Sequence, residues 1–165
     1  MAFEPNPHAA SLLRRNVALN RYTDRVTIAQ IAIGEHRGTS DFFLAGADGR
    51  GRPERPNPEL PRTTRIEVPV LTLDEFLAHH NGVPRCVVMD IEGWEIGALL
   101  GAERLLQLEP QPVLIVELHP NAWSWSGHSR HQLEQLLARH NLKAVPLSNQ
   151  SDVLTEYGQA WFKHA

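Results

Sequence analysis

Three short apolar runs in this chain each close on an acid. Phe3 leads to Glu4, Val87-Val88-Met89 leads to Asp90 and Glu92, and Val113–Val116 leads to Glu117 and His119. After Glu4 and Glu92 come proline or glycine and then sequence that suits a helix start, Pro5-Asn6-Pro7 and Gly93-Trp94. Apolar runs without polar alternation are typical of strands buried on both faces of a parallel sheet, with helices as the cover. In open α/β sheets, ligands gather beyond the carboxyl ends of the strands. The expected fold is therefore a mostly parallel α/β sheet with its acids on the binding edge.

The rest of the chain fits that alternation. Asn6 can cap a helix with Pro7 at its first position, and Ala9, Leu12, Leu13 and Val17 mark one face. Val26–Ile33 is rich in β-branched residues and predicts one strand; Thr39–Leu44 predicts a hairpin-like second. Residues 45–62 hold Gly46, Gly49, Gly51, Pro53, Pro56, Pro58 and Pro61 among four arginines, a composition expected to form a flexible loop. Ile66–Val70 predicts a strand, and Thr72-Leu73-Asp74-Glu75 a capping box that starts a helix over Leu73–His80. A second box, Ser129 to Gln132, precedes Leu133, Leu136, Leu137 and His140 at helical spacing. Ala144–Leu147 and Ala160–Phe162 are weaker strands that would close the sheet.

Length and composition narrow the function classes. A chain of 165 residues is one domain, long enough for a core. Its net charge of −3 offers no basic footprint for nucleic acid or an anionic membrane surface. No apolar stretch approaches the ~18 residues of a membrane span. The single Cys86 cannot form an internal disulfide and is expected as a buried thiol, consistent with a reducing, cytoplasmic setting.

Each candidate site residue has a bland reading beside the functional one. Acids near helix N-termini gain about 0.3–1 kcal/mol from the dipole, which explains Glu4 or Glu92 taken singly. Three successive strand ends carrying acids favour function. Residues two apart in extended chain share a side, so Asp90/Glu92 and Glu117/His119 are each expected to act as a pair. Those four could instead hold a hard cation such as Mg²⁺, giving a metal-dependent enzyme, although their spacing matches no defined metal motif. His79-His80 suits a helix C-terminus, and His128 and His131 suit a cap and a solvated face. Trp123 and Trp125 form either an aromatic wall for a ligand or a packed loop.

Taken together, Phe3–Pro7 (FEPNP), Thr72-Leu73-Asp74, Met89–Glu95 (MDIEGWE), Leu100–Glu103 and Val116–Pro120 (VELHP) stand in the order of the FkbM family of S-adenosylmethionine-dependent methyltransferases, which this chain resembles over nearly its whole length. The resemblance implies a Rossmann-like sheet and methyl transfer to a hydroxyl of a sugar, polyketide or similar small molecule. It implies that Glu4, with Asn6 beside it, grips the cofactor ribose and that Ile31 and Ala32 flank the adenine. It also implies that Asp90 faces both methyl donor and acceptor, and that Glu92, Glu117 and His119 complete the catalytic set.

The family's first strand, Gly-rich turn and following helix have no counterpart before Met1. The expectation is a partial methyltransferase domain, explained by a misassigned start, a truncated gene, or a partner chain or second copy that completes the sheet. As a truncated chain it would be a non-catalytic α/β module with an incomplete cofactor pocket.

Overall fold

The computed structural model describes residues 1–45, 50–53, 63–80 and 82–165, which form two compact units, Met1–Leu71 and Thr72–Ala165.

The first unit opens with β1 (Ala2–Phe3) and α1 (Pro7–Leu19). The helix starts where expected because the Asn6 side chain accepts from the amides of His8 (2.9 Å) and Ala9 (3.4 Å), with Pro7 next in line. Its inward face is Ala10, Leu13 and Val17, whereas Leu12 points to solvent. Val26–Ile33 is not one strand. It divides into β2 (Ile28–Ala29), parallel to β1, and β3 (Ala32–Ile33), parallel to β6 (Thr63–Leu71). The chain changes partners between them, which breaks the ladder. β4 (Gly38–Ala45) runs antiparallel to β6 and to β5 (Arg50–Pro53), giving the order β3-β6-β4-β5. Part of the stretch expected as a loop is therefore strand; residues 46–49 and 54–62 lie outside the described residues.

The second unit begins with α2 (Leu73–His79), whose capping box is formed: Thr72 Oγ1 accepts from the Glu75 amide at 3.0 Å, and Glu75 reaches back to the Thr72 amide at 3.3 Å. His79 and His80 turn their Nδ1 atoms onto carbonyls of the last turn. The unit continues through β7 (Cys86–Met89), α3 (Glu95–Leu100), α4 (Glu103–Leu106) and β8 (Val113–Leu118). A 3₁₀ helix (Pro120–Ser126), α5 (Arg130–Arg139), β9 (Leu142–Pro146) and β10 (Gly158–His164) complete it. β7 and β8 are parallel, joined through α3 and α4, while β10 is antiparallel to both β8 and β9 in the order β7-β8-β10-β9. Ile96, Leu99, Leu114, Val116, Leu118, Leu133, Leu136 and Phe162 fill its core.

Two motifs meet within this unit. The Asp74 carboxylate accepts from the amides of Arg104 (2.8 Å) and Leu105 (3.0 Å), so the acid of Thr72-Leu73-Asp74 caps the helix that Leu100–Glu103 begins.

The fold is mixed α/β, and its pairing departs from a mostly parallel sheet. Three of the seven strand pairings among the described residues are parallel and four antiparallel. Two of the antiparallel pairs, β4–β5 and β9–β10, join strands that are consecutive in the chain, whereas β4–β6 and β8–β10 join strands that are not. β7 also differs from expectation. It is an edge strand of its sheet, so Cys86 is exposed rather than buried, and Val88 is 71% exposed. No helix among the described residues is long and apolar enough to cross a membrane.

Candidate active site

In the second unit, parallel pairing of β7 with β8 sets Met89 beside Val116, so the residues that follow both strands leave the sheet on the same edge. Asp90 follows β7, and the chain then turns sharply. Glu92 has a φ of 54° and Gly93 of 105°. A side chain at Gly93 would meet both that conformation and the Ala122 Cβ, 2.6 Å from the position of the added carbon. Asp90 and Glu92 converge because of this turn, not through the alternation of an extended strand. Each places one carboxylate oxygen 3.9 Å from Nε2 of His119.

His119 is held from the other side by Glu95, a residue the sequence reading did not single out. Glu95 is fully buried at the start of α3. Its carboxylate accepts from the Gly93 amide (2.6 Å), from Trp123 Nε1 (2.8 Å) and from His119 Nδ1 (3.0 Å). Trp123 is therefore a packed residue of the 3₁₀ helix, while Trp125 is exposed. Ser126 Oγ bonds the Gly93 carbonyl at 2.8 Å, fastening the turn to the same helix.

Glu117 is turned to a different partner set. Its carboxylate accepts from the Tyr157 hydroxyl and from Gln159 Nε2 at 3.2 Å. Tyr157, also missed in the sequence, lies with its ring 5.1 Å from the His119 ring. The neutral phenol of an isolated tyrosine carries no sequence signal, and its role comes from β10 lying against β8.

These contacts shift the charges. The hydrogen bond to Glu95 raises His119 above its ordinary value, against the effect of its partial burial. Burial, then the charge of Glu117, raises Asp90, while His119 opposes the rise; with 56% of its side chain in solvent, water limits the effect. The Tyr157 hydroxyl lowers Glu117 and is itself raised in return.

Ligand atoms of Asp90, Glu92 and His119 lie within 4.8 Å of one another, compact enough for one hard cation. Glu117 stands outside that trio. Two half-exposed carboxylates around an imidazole are equally an ion-pair cluster, and nothing in the site singles out a metal.

The first unit holds the residues expected at the cofactor, and the second the remaining histidines. Glu4 follows β1, with Oε1 accepting from the Asn6 amide at 2.8 Å. Asn6 is buried, and its side-chain oxygen serves the α1 cap. Ile31 lies between β2 and β3, and Ala32 begins β3. His128, half-buried, lies 3.0 Å from Ser126 Oγ, and His131 is exposed on α5.

Residues 1–143 match the model of the methyltransferase FkbM domain. A comparison with curated protein sequences finds no match. Among solved structures, the chain is similar to a methyltransferase FkbM from Methylobacillus flagellatus KT, with a TM-score of 0.56 and 17% identity. That likeness, which bears on the fold, covers 96% of this chain and 35% of the other, so the chain spans about a third of that protein's length.

Proposed function

Because this chain belongs to the FkbM methyltransferase family, we propose that it forms the acceptor side and the ribose-binding side of an S-adenosylmethionine-dependent O-methyltransferase. The acceptor is a hydroxyl on a sugar, polyketide or similar small molecule, and the setting is cytoplasmic. The observation that carries this reading is the convergence of Asp90, Glu92 and His119 on one edge of the β7–β8 pair. Three groups able to accept a proton face one point, as an alcohol that must be deprotonated requires.

The residues also suit the cofactor. A ribose diol is best gripped by an acceptor-only carboxylate at a strand end, and Glu4 has that position, steadied by the Asn6 amide. When bound, S-adenosylmethionine supplies an electrophilic methyl group on a sulfonium sulfur. Asp90 and Glu92 would orient the acceptor hydroxyl, and a base among Asp90, Glu92 and His119 would take its proton as the oxygen gains the methyl group and the methyl–sulfur bond breaks, its electron pair staying on sulfur as a neutral thioether. Correct positioning of two reactants contributes up to about 7–11 kcal/mol to such a displacement. Glu117 would set the acceptor side through Tyr157 and Gln159.

Calorimetry of the 165-residue chain with S-adenosylmethionine tests the cofactor half, and radiolabelled methyl transfer to a panel of small hydroxyl compounds tests the rest. Micromolar binding with label on oxygen is expected. No binding, or label only on nitrogen or carbon, overturns the reading.

A further inference from the structure

We propose that Glu95 is the positioning residue that fixes the His119 imidazole with Nε2 as a proton acceptor facing Asp90 and Glu92. This rests on the methyl-transfer reading above for its use, but not for its geometry.

A fully buried carboxylate is expensive unless its oxygens are matched by donors. Glu95 has three, each from a different segment: the turn amide of Gly93, the indole of Trp123 and the ring of His119. The first two groups can only donate, and an ionised carboxylate can only accept. Nδ1 of His119 therefore carries its proton toward Glu95, and in the neutral ring the lone pair lies on Nε2. That nitrogen stands 3.9 Å from an oxygen of both Asp90 and Glu92, beyond direct hydrogen-bond range and too near for an atom on the line between them, so an acceptor hydroxyl would bridge nitrogen and carboxylate from one side.

His119 is the least exposed of the three, with 13% of its side chain in solvent against 56% for Asp90 and 53% for Glu92. The titratable groups that face it are Asp90 and Glu92 from the turn, Glu95 from α3, Glu117 from its own strand and Tyr157 before β10. Glu95, Glu92 and Asp90 favour the protonated ring, and Glu95 does so through a direct bond. A proton taken from an acceptor would thus be held on Nε2 by charges already in place. The orientation of the ring, and the largest part of its raised basicity, come from one residue that never touches the acceptor.

The test is ¹⁵N imidazole NMR on the histidine-labelled 165-residue chain, with the His119 signal identified by its loss in His119→Gln. The wild-type neutral ring is expected in the Nδ1–H form, with a titration midpoint above the ordinary imidazole value of 6.5. Glu95→Gln is expected to lower that midpoint and to mix the two tautomers. A wild-type Nε2–H tautomer, or an unchanged midpoint in a folded Glu95→Gln chain, overturns the proposal. If Glu95→Gln does not fold, the wild-type tautomer still decides, and Trp123→Phe is expected to keep the Nδ1–H form because its lost donor is not the one that sets the ring. Where turnover is measured, Glu95→Gln is expected to cut it roughly 10²-fold and move its acid limb to lower pH. Absence of wild-type turnover counts against the proposed function and leaves the NMR criterion intact.

Discussion

The indole nitrogen of Trp123 lies 2.8 Å from Oε2 of Glu95, joining two buried side chains 28 residues apart in sequence. One is a charged group that could not be buried alone, and the other is an aromatic that brings both apolar area and a donor. Trp123→Phe keeps most of the area and removes the donor. It is expected to destabilise the chain by about 1–3 kcal/mol, the range for a buried polar group left unsatisfied, as read by urea unfolding.

The turn after Asp90 depends on Gly93. Gly93→Ala forces a β-carbon onto Ala122 and into a positive-φ backbone, at a cost of about 1–3 kcal/mol for the strain alone. Urea unfolding is expected to show that loss. Asp90 and Glu92 should also separate from His119, which the His119 imidazole chemical shift will report.

Asp74 offers a test away from the site. Its carboxylate caps α4, and Asp74→Ala is expected to cost about 0.5–2 kcal/mol in thermal or urea unfolding, with the His119 resonance unmoved.

The pairing of His119 with Glu95 makes stability depend on pH in a defined direction. The folded-state pKa of His119 is raised above its ordinary 6.5. The stabilisation is therefore fully present below pH 6.5 and is lost as pH rises through the higher folded value. Urea unfolding across pH 5.5–9 should show wild type losing stability relative to His119→Gln over that window. A constant difference would contradict the pairing.

Asp90→Asn keeps the shape of the turn and removes the charge. In a protein with measurable methyl transfer it should lower turnover by at least roughly tenfold, since it weakens both the orientation of the acceptor and the support for the protonated imidazole. Steady-state rates at saturating cofactor are the measurement.

What could be read in the sequence was local. Thr72 reaching Glu75, Ser129 reaching Gln132 and Asn6 reaching His8 and Ala9 are contacts within three residues, and each was visible as a motif. The strand ends at Asp90 and Glu117 followed from the apolar runs before them. The run Val87–Met89 nevertheless misled about Cys86, because a run of apolar residues does not reveal which strand lies at an edge. Val26–Ile33 misled for a related reason: β propensity marks extended chain but not a change of partner.

By itself, then, the sequence determined the family, the capping boxes and the acids that close the strands, all of which depend on residue type and near spacing. Only the tertiary structure decided that Glu95 is the buried partner of His119, that Asp90 and Glu92 meet through a left-handed turn, and that Tyr157 takes up Glu117. Those contacts join residues up to 40 positions apart, and their energies exist only once the sheet and the 3₁₀ helix have brought the partners together.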